Sequence, residues 1–156
     1  MAESHSHSAA VEDYTKAIYK LQTRASEPVS NNALAEELGV TPGSASAMVK
    51  KLVAAGLVEH VPYKGVELTP SGLKVALEVI RHHRLLELYL AEHLDVPWDR
   101  VHAEADVLEH VLSEELEASI ANKLGDPTHD PHGDPIPSAK LVLEESESHS
   151  LQSLEP

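Results

Sequence analysis

The chain contains no cysteine and no phenylalanine, and its only rings besides histidine are Tyr14, Tyr19, Tyr63, Tyr89 and Trp98. Without thiols, disulfides and thiolate metal sites are excluded, and the redox compartment cannot be read. With so few aromatics, any core rests on Leu, Val, Ile and Ala. No apolar run approaches the roughly 18 residues of a membrane-spanning helix. The first residues, Met1-Ala-Glu-Ser-His-Ser-His-Ser8, lack both the basic and the apolar region of a secretory leader. A soluble cytoplasmic protein with no membrane partner is therefore expected.

Basic charge is scarce as well. The net charge is −14 over 156 residues, which by itself opposes a nucleic-acid partner, because attraction to phosphate supplies most non-specific affinity. The distribution weakens that objection. Residues 1–80 hold 7 Lys plus Arg against 9 Asp plus Glu, net −2, whereas residues 81–156 hold 5 against 17, net −12. Between residues 41 and 74 there are four Lys and two Glu, so a mildly basic patch survives in the first half. The length suits one or two small cores, and the 42% apolar content lies slightly below that of a typical globular domain.

What is present is a series of helix signals. Over residues 9–25, Val11, Tyr14, Ile18 and Leu21 recur at three-four-three spacing, an amphipathic helix with Asp13 at the edge of its stripe. Ser26-Glu-Pro-Val-Ser30 interrupts it. Ser30 then caps a short helix with Leu34, Ala35 and Leu38, ended by Gly39. Thr41 caps the next helix with Pro42 at its first position, and Ala45, Met48, Val49, Leu52 and Val53 form the inner face until Gly56. Two short helices joined by a tight glycine turn make a helix-turn-helix. Residues 57–61 and 66–68 read as two strands around Pro62-Tyr63-Lys64-Gly65, which turns the motif into a winged helix. Thr69-Pro70 opens a long helix with Leu73, Ala76, Leu77, Ile80 and Leu86, reaching about Leu94.

In the reading helix, Thr41, Ser44 and Ser46 offer small hydroxyls to phosphates or base edges, and Pro42 suits thymine methyls. Lys50, Lys51 and the wing's Lys64 neutralise phosphates. No Arg, Asn or Gln stands where it could read a base with two hydrogen bonds, so specificity is expected to be modest and partly read from groove shape. The partner implied is double-stranded operator DNA.

The second half is organised around His102-Ala-Glu-Ala-Asp106-Val-Leu-Glu109-His110. In a helix expected from about Asp99 to Leu112, Asp106 lies four residues after His102, and Glu109 and His110 lie three and four after Asp106, so these side chains line one flank with metal ligands. Val101, Ala105, Leu108 and Leu112 make the opposite flank apolar, so this helix packs on something while its polar stripe faces something else. His83 and Glu87, four apart, share a face of the long helix. Ser113 with Glu114 and Glu115 starts another helix running to Leu124. These apolar helices lack partners within one chain, which favours a two-fold dimer that also spaces two reading helices about one DNA turn apart.

Residues 126–137 are a Pro- and Gly-rich loop, in which His129, Asp130, His132 and Asp134 read first as solvated groups, as do His5, His7 and His149. No internal repeat is evident. The chain divides into a flexible N-terminus, 1–9; a winged helix-turn-helix, 10–74; an all-helical metal-binding and dimerisation domain, 75–140; and an acidic tail, 141–156, expected to be poorly ordered. The fold class is mainly α.

The segments Val11-Glu-Asp13-Tyr-Thr-Lys-Ala-Ile-Tyr19, Arg81-His-His83-Arg84-Leu-Leu-Glu87, Val101-His102-Ala-Glu-Ala-Asp106-Val-Leu-Glu109-His110 and Gly133-Asp-Pro-Ile-Pro137 resemble the diphtheria-toxin-repressor and manganese-transport-regulator family. The resemblance covers residues 10 to about 140. It implies a dimeric, metal-activated repressor without enzymatic activity or a small-molecule substrate, and without the SH3-like C-terminal domain that many members carry. It implies a primary metal site of Asp13, Asp106, Glu109 and His110, an ancillary site of His83, Glu87 and His102, and an anion held by Arg84. Iron-type members place Met and Cys where this chain has Asp13 and Asp106. Three carboxylates and one imidazole suit Mn²⁺, with Fe²⁺ the alternative and Zn²⁺ or Co²⁺ binding in vitro. One manganese-responsive branch has Glu where Lys16 stands here, which argues against its close binuclear pair. Ancillary ligands that an SH3-like domain supplies are missing, so that site is expected to be weaker or completed by water.

Physical chemistry supplies a mechanism. Asp13, Asp106 and Glu109 bring up to three negative charges together, at a cost of several kcal/mol or a raised pKa in a partly buried site. The early helix is expected to drift away unless a divalent cation reverses the sign of that interaction. A metal-independent winged-helix regulator, whose second half only dimerises or binds an organic ligand, is the alternative. A metallohydrolase would use the same donors with an open position, but no glycine loop for an oxyanion or phosphate accompanies them.

Overall fold

The computed structural model describes residues 7–141 and divides into two compact units, one over His7–Ala76 and one from Leu77 onward. The acidic tail beyond Leu141, with His149, and the residues before His7, with His5, lie outside the described part. Among the described residues there are six helices and one two-stranded sheet, a mainly helical fold with a winged helix at its start.

In the first unit each helix begins where a short polar side chain replaces the missing intrahelical acceptor. Ser8 accepts the Val11 N–H at 3.2 Å and opens α1, Ala9–Ala25. Ser30 accepts the Ala33 N–H at 3.1 Å and opens α2, Asn31–Leu38. Thr41 accepts the Ser44 N–H at 3.1 Å and opens α3, Pro42–Ala54, with Pro42 in the first turn. Gly39 ends α2 in the left-handed region at φ 68°, which glycine enters without steric cost. β1, Val58–Val61, and β2, Gly65–Leu68, pair antiparallel with Val58 opposite Leu68 and Val61 opposite Gly65.

The core of this unit joins Tyr14, Ala17 and Ile18 of α1 to Leu34 and Ala35 of α2, Ala45, Val49 and Leu52 of α3, and Val58 and Val66 of the wing. Val29 extends the sheet: its N–H donates to the Val66 carbonyl at 2.8 Å and its carbonyl accepts the Val66 N–H at 2.9 Å. Gln22 of α1 accepts the Leu68 N–H at 3.0 Å, a side chain completing the ladder. The wing is thus clamped along the outer edge of β2.

The chain enters α4, Pro70–His93, through Thr69, whose hydroxyl donates to the Gly56 carbonyl at 2.7 Å and accepts the Gly72 N–H at 3.1 Å. Gly72 is buried, and a Cβ there would stand 1.9 Å from the Leu57 carbonyl oxygen. Replacing Gly72 with Ala is therefore expected to destabilise this unit by about 1–3 kcal/mol, read as a lower urea midpoint; an unchanged midpoint would show that the strand-to-helix contact has slack. Leu73, expected on the inner face, is instead exposed, because Gly72 occupies the contact with the wing.

The second unit packs α4 from Leu77 onward against α5, Val101–Leu108, and α6, Glu114–Lys123. Its core is Leu85, Leu86, Leu88, Ala105, Leu112, Ile120, Ala121 and Ile136. The organising helix is shorter than its sequence pattern: it covers residues 101–108, and Glu109–Val111 form a turn. Ser113 must be extended, at φ −76° and ψ 158°, to accept the Leu116 N–H and start α6.

Candidate metal centre and nucleic-acid interface

Four of the expected ligands come from short-range helical geometry. His83 and Glu87 lie one turn apart on α4, and His102 and Asp106 one turn apart on α5. Tertiary packing sets the His83 ring among all of them. Its Nε2 lies 3.1 Å from Glu87 Oε2 and 3.1 Å from His102 Nδ1. Its Nδ1 lies 2.5 Å from Glu109 Oε1 and 3.4 Å from Asp106 Oδ1. His102 closes the ring, with Nδ1 3.2 Å from Glu87 Oε2 and Nε2 3.5 Å from Asp106 Oδ2. His110 Nε2 sits 3.4 Å from the second oxygen of Glu109. The groups read as primary and ancillary are therefore contiguous within this unit, and Asp106 here faces His83 and His102. Asp13 lies on α1, in the other unit.

Glu87 and Glu109 are almost wholly buried. A buried carboxylate is costly unless compensated, and here imidazoles compensate. Burial pushes the Glu87 pKa up, but the hydrogen bond and charge of His83, with Asp130 and His102 behind, bring it down to about 2. His83, His102 and Asp106 each offer a ligand atom within 4.8 Å of the others. Imidazole nitrogens and carboxylate oxygens converging at a site that is buried on the His83 side and open to solvent on the His102 side are a donor set that suits a divalent transition metal.

The loop after α6 contributes more than expected. Asp130 is buried, not solvated, and its Oδ1 accepts the N–H groups of His132 at 2.9 Å and Asp134 at 2.8 Å. His132 turns inward, its Nδ1 3.7 Å from Glu87 Oε1, with the Trp98 ring 4.3 Å from its own. Glu87, Asp130 and His132 form a second convergent group. Burial, partly opposed by the Asp134 N–H and reinforced by Glu87, pushes the Asp130 pKa up. The sequence signal was Asp-Pro-His-Gly-Asp, in which an aspartate can hydrogen-bond the backbone two residues on. Composition alone favoured a solvated loop; His129 and Asp134 are indeed exposed. Arg84, expected to hold an anion, donates to the Pro135 carbonyl and so ties this loop to α4.

A second buried polar cluster went unread in the sequence. His82 places Nδ1 3.3 Å from the Glu109 carbonyl oxygen and Nε2 2.9 Å from Glu117 Oε1. Arg81 pairs with the other Glu117 oxygen and donates to the Pro137 carbonyl at 2.9 Å. Burial pushes His82 toward its neutral form, yet the Glu117 hydrogen bond and charge raise its pKa overall. Burial pushes Glu117 up, and His82 and Arg81 bring it down.

In the first unit most residues expected to face DNA are exposed. Thr41, Pro42, Ser44, Lys50, Lys51 and Lys64 are exposed and Ser46 is half-buried. The Thr41 hydroxyl is engaged as the α3 cap and donates to Ser44 Oγ at 3.0 Å. Tyr63, which the sequence reading passed over, stands fully exposed at the wing tip with φ 65°. No described helix is long and apolar enough to cross a membrane.

A helix-turn-helix with a clamped wing, followed by a helical unit dense in histidine and carboxylate, defines the winged-helix DNA-binding proteins that carry a metal-binding domain. Residues 7–66 match the family described as iron dependent repressor, N-terminal DNA binding domain, and residues 69–138 match iron dependent repressor, metal binding and dimerisation domain. The chain belongs to the iron-dependent repressor family, a family of repressors and not of enzymes. It is 36% identical over 126 residues to the iron-dependent repressor IdeR of Mycobacterium tuberculosis, covering 81% of this chain and 54% of that protein. An HTH-type transcriptional regulator of Methanocaldococcus jannaschii is 33% identical over 109 residues, covering 70% of this chain and 87% of the relative. A solved manganese-dependent transcriptional repressor in complex with manganese superposes with a TM-score of 0.79 at 47% identity, over 85% of this chain and 61% of the other. The chain thus spans about half the length of the curated iron-dependent repressors it matches.

Proposed function

We propose that this chain is a cytoplasmic, metal-responsive transcriptional repressor that grips operator DNA as a homodimer when Mn²⁺ is bound, and that it represses metal-uptake genes. The observation that carries the reading is the pair of buried carboxylates, Glu87 and Glu109, on either side of His83. Fe²⁺ is the alternative ion. Asp13, Asp106, Glu109 and His110 form the primary site, and His83, Glu87 and His102 the ancillary one. Asp130 and His132 extend the ancillary site by the side they share with Glu87. The all-oxygen-and-nitrogen donor set favours Mn²⁺ by removing the sulfur that softer ions prefer.

The mechanism follows from charge. Asp13 on α1 repels Asp106 and Glu109 when nothing separates them, so the DNA-binding unit is not held in register. A bound divalent cation supplies the positive charge that makes all of these carboxylates attractive to one centre. Asp13 then pins α1, the two reading helices of the dimer keep a fixed separation, and Thr41, Pro42, Ser44 and Ser46 meet the major groove. Lys50, Lys51 and Lys64 contact phosphates. By linkage, operator DNA tightens metal binding by the factor that metal tightens DNA binding. Exposed Val107, Val111 and Leu116 on the second unit suit a dimer seam.

The test is a calorimetric titration of chelator-stripped protein with Mn²⁺, Fe²⁺ and Zn²⁺, followed by the same ions in a gel-shift assay. Asp106→Ala is expected to abolish manganese-stimulated DNA binding and leave the dimer intact, because the Asp106 side chain is about half exposed and supports no core packing. Loss of the dimer on size exclusion, or DNA binding indifferent to metal, would overturn the reading.

A further inference from the structure

We propose that His82 is a positioning residue for Glu109, fixing the turn that ends α5 and thereby setting the metal affinity of the centre. The proposal rests on the reading of Glu109 as a metal ligand. Successive residues on a helix project about 100° apart, and α4 uses this: His83 reaches the Glu109 side chain while His82 reaches its backbone carbonyl.

That carbonyl needs an outside partner. α5 ends at Leu108, so the Glu109 oxygen lies among the acceptors that a helix leaves unpaired at its C-terminus. A carbonyl only accepts, so His82 Nδ1 donates to it. The ring cannot turn away, because Nε2 is held 2.9 Å from Glu117 Oε1, and Glu117 is itself held by Arg81, which also donates to the Pro137 carbonyl. Four chain segments therefore converge on one backbone oxygen: α4, the α5 turn, α6 and the end of the following loop. With that oxygen fixed, the Glu109 carboxylate is presented toward His83 and His110 in one orientation. Groups that hold a ligand in place affect metal affinity by about 10–100-fold.

The rival account is a tie between α4 and α6 that has nothing to do with the metal. Two substitutions separate them. In His82→Asn the amide nitrogen takes the place of Nδ1 and keeps the Glu109 contact while losing Glu117. In His82→Gln the amide nitrogen takes the place of Nε2 and does the reverse.

The experiment measures Mn²⁺ affinity by competition with a chromophoric chelator, the electron paramagnetic resonance line shape of bound Mn²⁺, and thermal unfolding of the metal-free protein. Positioning predicts that His82→Asn binds within a few-fold of the unsubstituted protein, while His82→Gln binds about 10–100-fold more weakly with a broadened spectrum. Glu117→Gln still pairs with His82 and is expected to bind within a few-fold; a loss of about tenfold or more in this variant would overturn the proposal even if one His82 variant fails to fold. Equal affinities for the two His82 variants, or weaker binding in His82→Asn than in His82→Gln, would overturn the proposal while leaving Glu109 a ligand. Absence of Mn²⁺ binding by the unsubstituted protein would overturn the ligand reading, and this inference with it.

Discussion

Glu109→Gln is expected to lower Mn²⁺ affinity by at least about a hundredfold, beyond the roughly 10–100-fold typical of groups that merely support a ligand, and to abolish metal-stimulated DNA binding. The side chain is wholly buried, so no water can stand in for the lost carboxylate oxygen. Glutamine matches its shape, and its amide oxygen can still accept from His83 Nδ1, so the fold and the dimer are expected to survive. The metal-free protein need not lose stability, because a buried charge that requires compensation is removed along with its pairing. Calorimetry for the ion, size exclusion for the dimer and a gel shift for the operator together give the result. Retention of manganese-stimulated binding would remove Glu109 from the site and with it the central buried carboxylate of the proposed mechanism.

Asp13→Met combined with Asp106→Cys is expected to invert the metal ranking. The two carboxylates are hard donors, whereas thioether and thiolate are soft. Activation by Fe²⁺ or Co²⁺ relative to Mn²⁺ should rise by on the order of tenfold, about 1.4 kcal/mol, read as the ratio of half-activating concentrations in the gel shift. An unchanged ranking would mean that selectivity is set by geometry elsewhere, with the Glu87, Asp130 and His132 group the next place to look.

The winged helix was legible because its signals are local. Ser30 and Thr41 each cap within three residues of themselves, and Gly39 ends α2 where a left-handed residue is required. The same holds for His83 with Glu87 and His102 with Asp106, pairs one helical turn apart. The length of α5 was not legible, since apolar spacing continues through Leu112 while the helix stops at Leu108 so that Ser113 can cap α6. Asp130 and His132 were underrated because a Pro- and Gly-rich composition describes the loop and not what lies beneath it. The His82–Glu117 pair spans 35 residues and obeys no spacing rule.

Taken alone, the amino-acid order determined the elements, their caps, the winged-helix class and the inventory of hard metal donors, because each depends on residues within a turn or two of one another. Tertiary structure decided which donors meet. It put the His83 ring between Glu87 and Glu109, turned Asp106 toward His83, brought His132 to Glu87 and the Trp98 ring, and hung the Glu109 carbonyl on His82. The reason is that burial is what makes a carboxylate costly and hence a ligand worth holding, and burial is created only when distant segments pack.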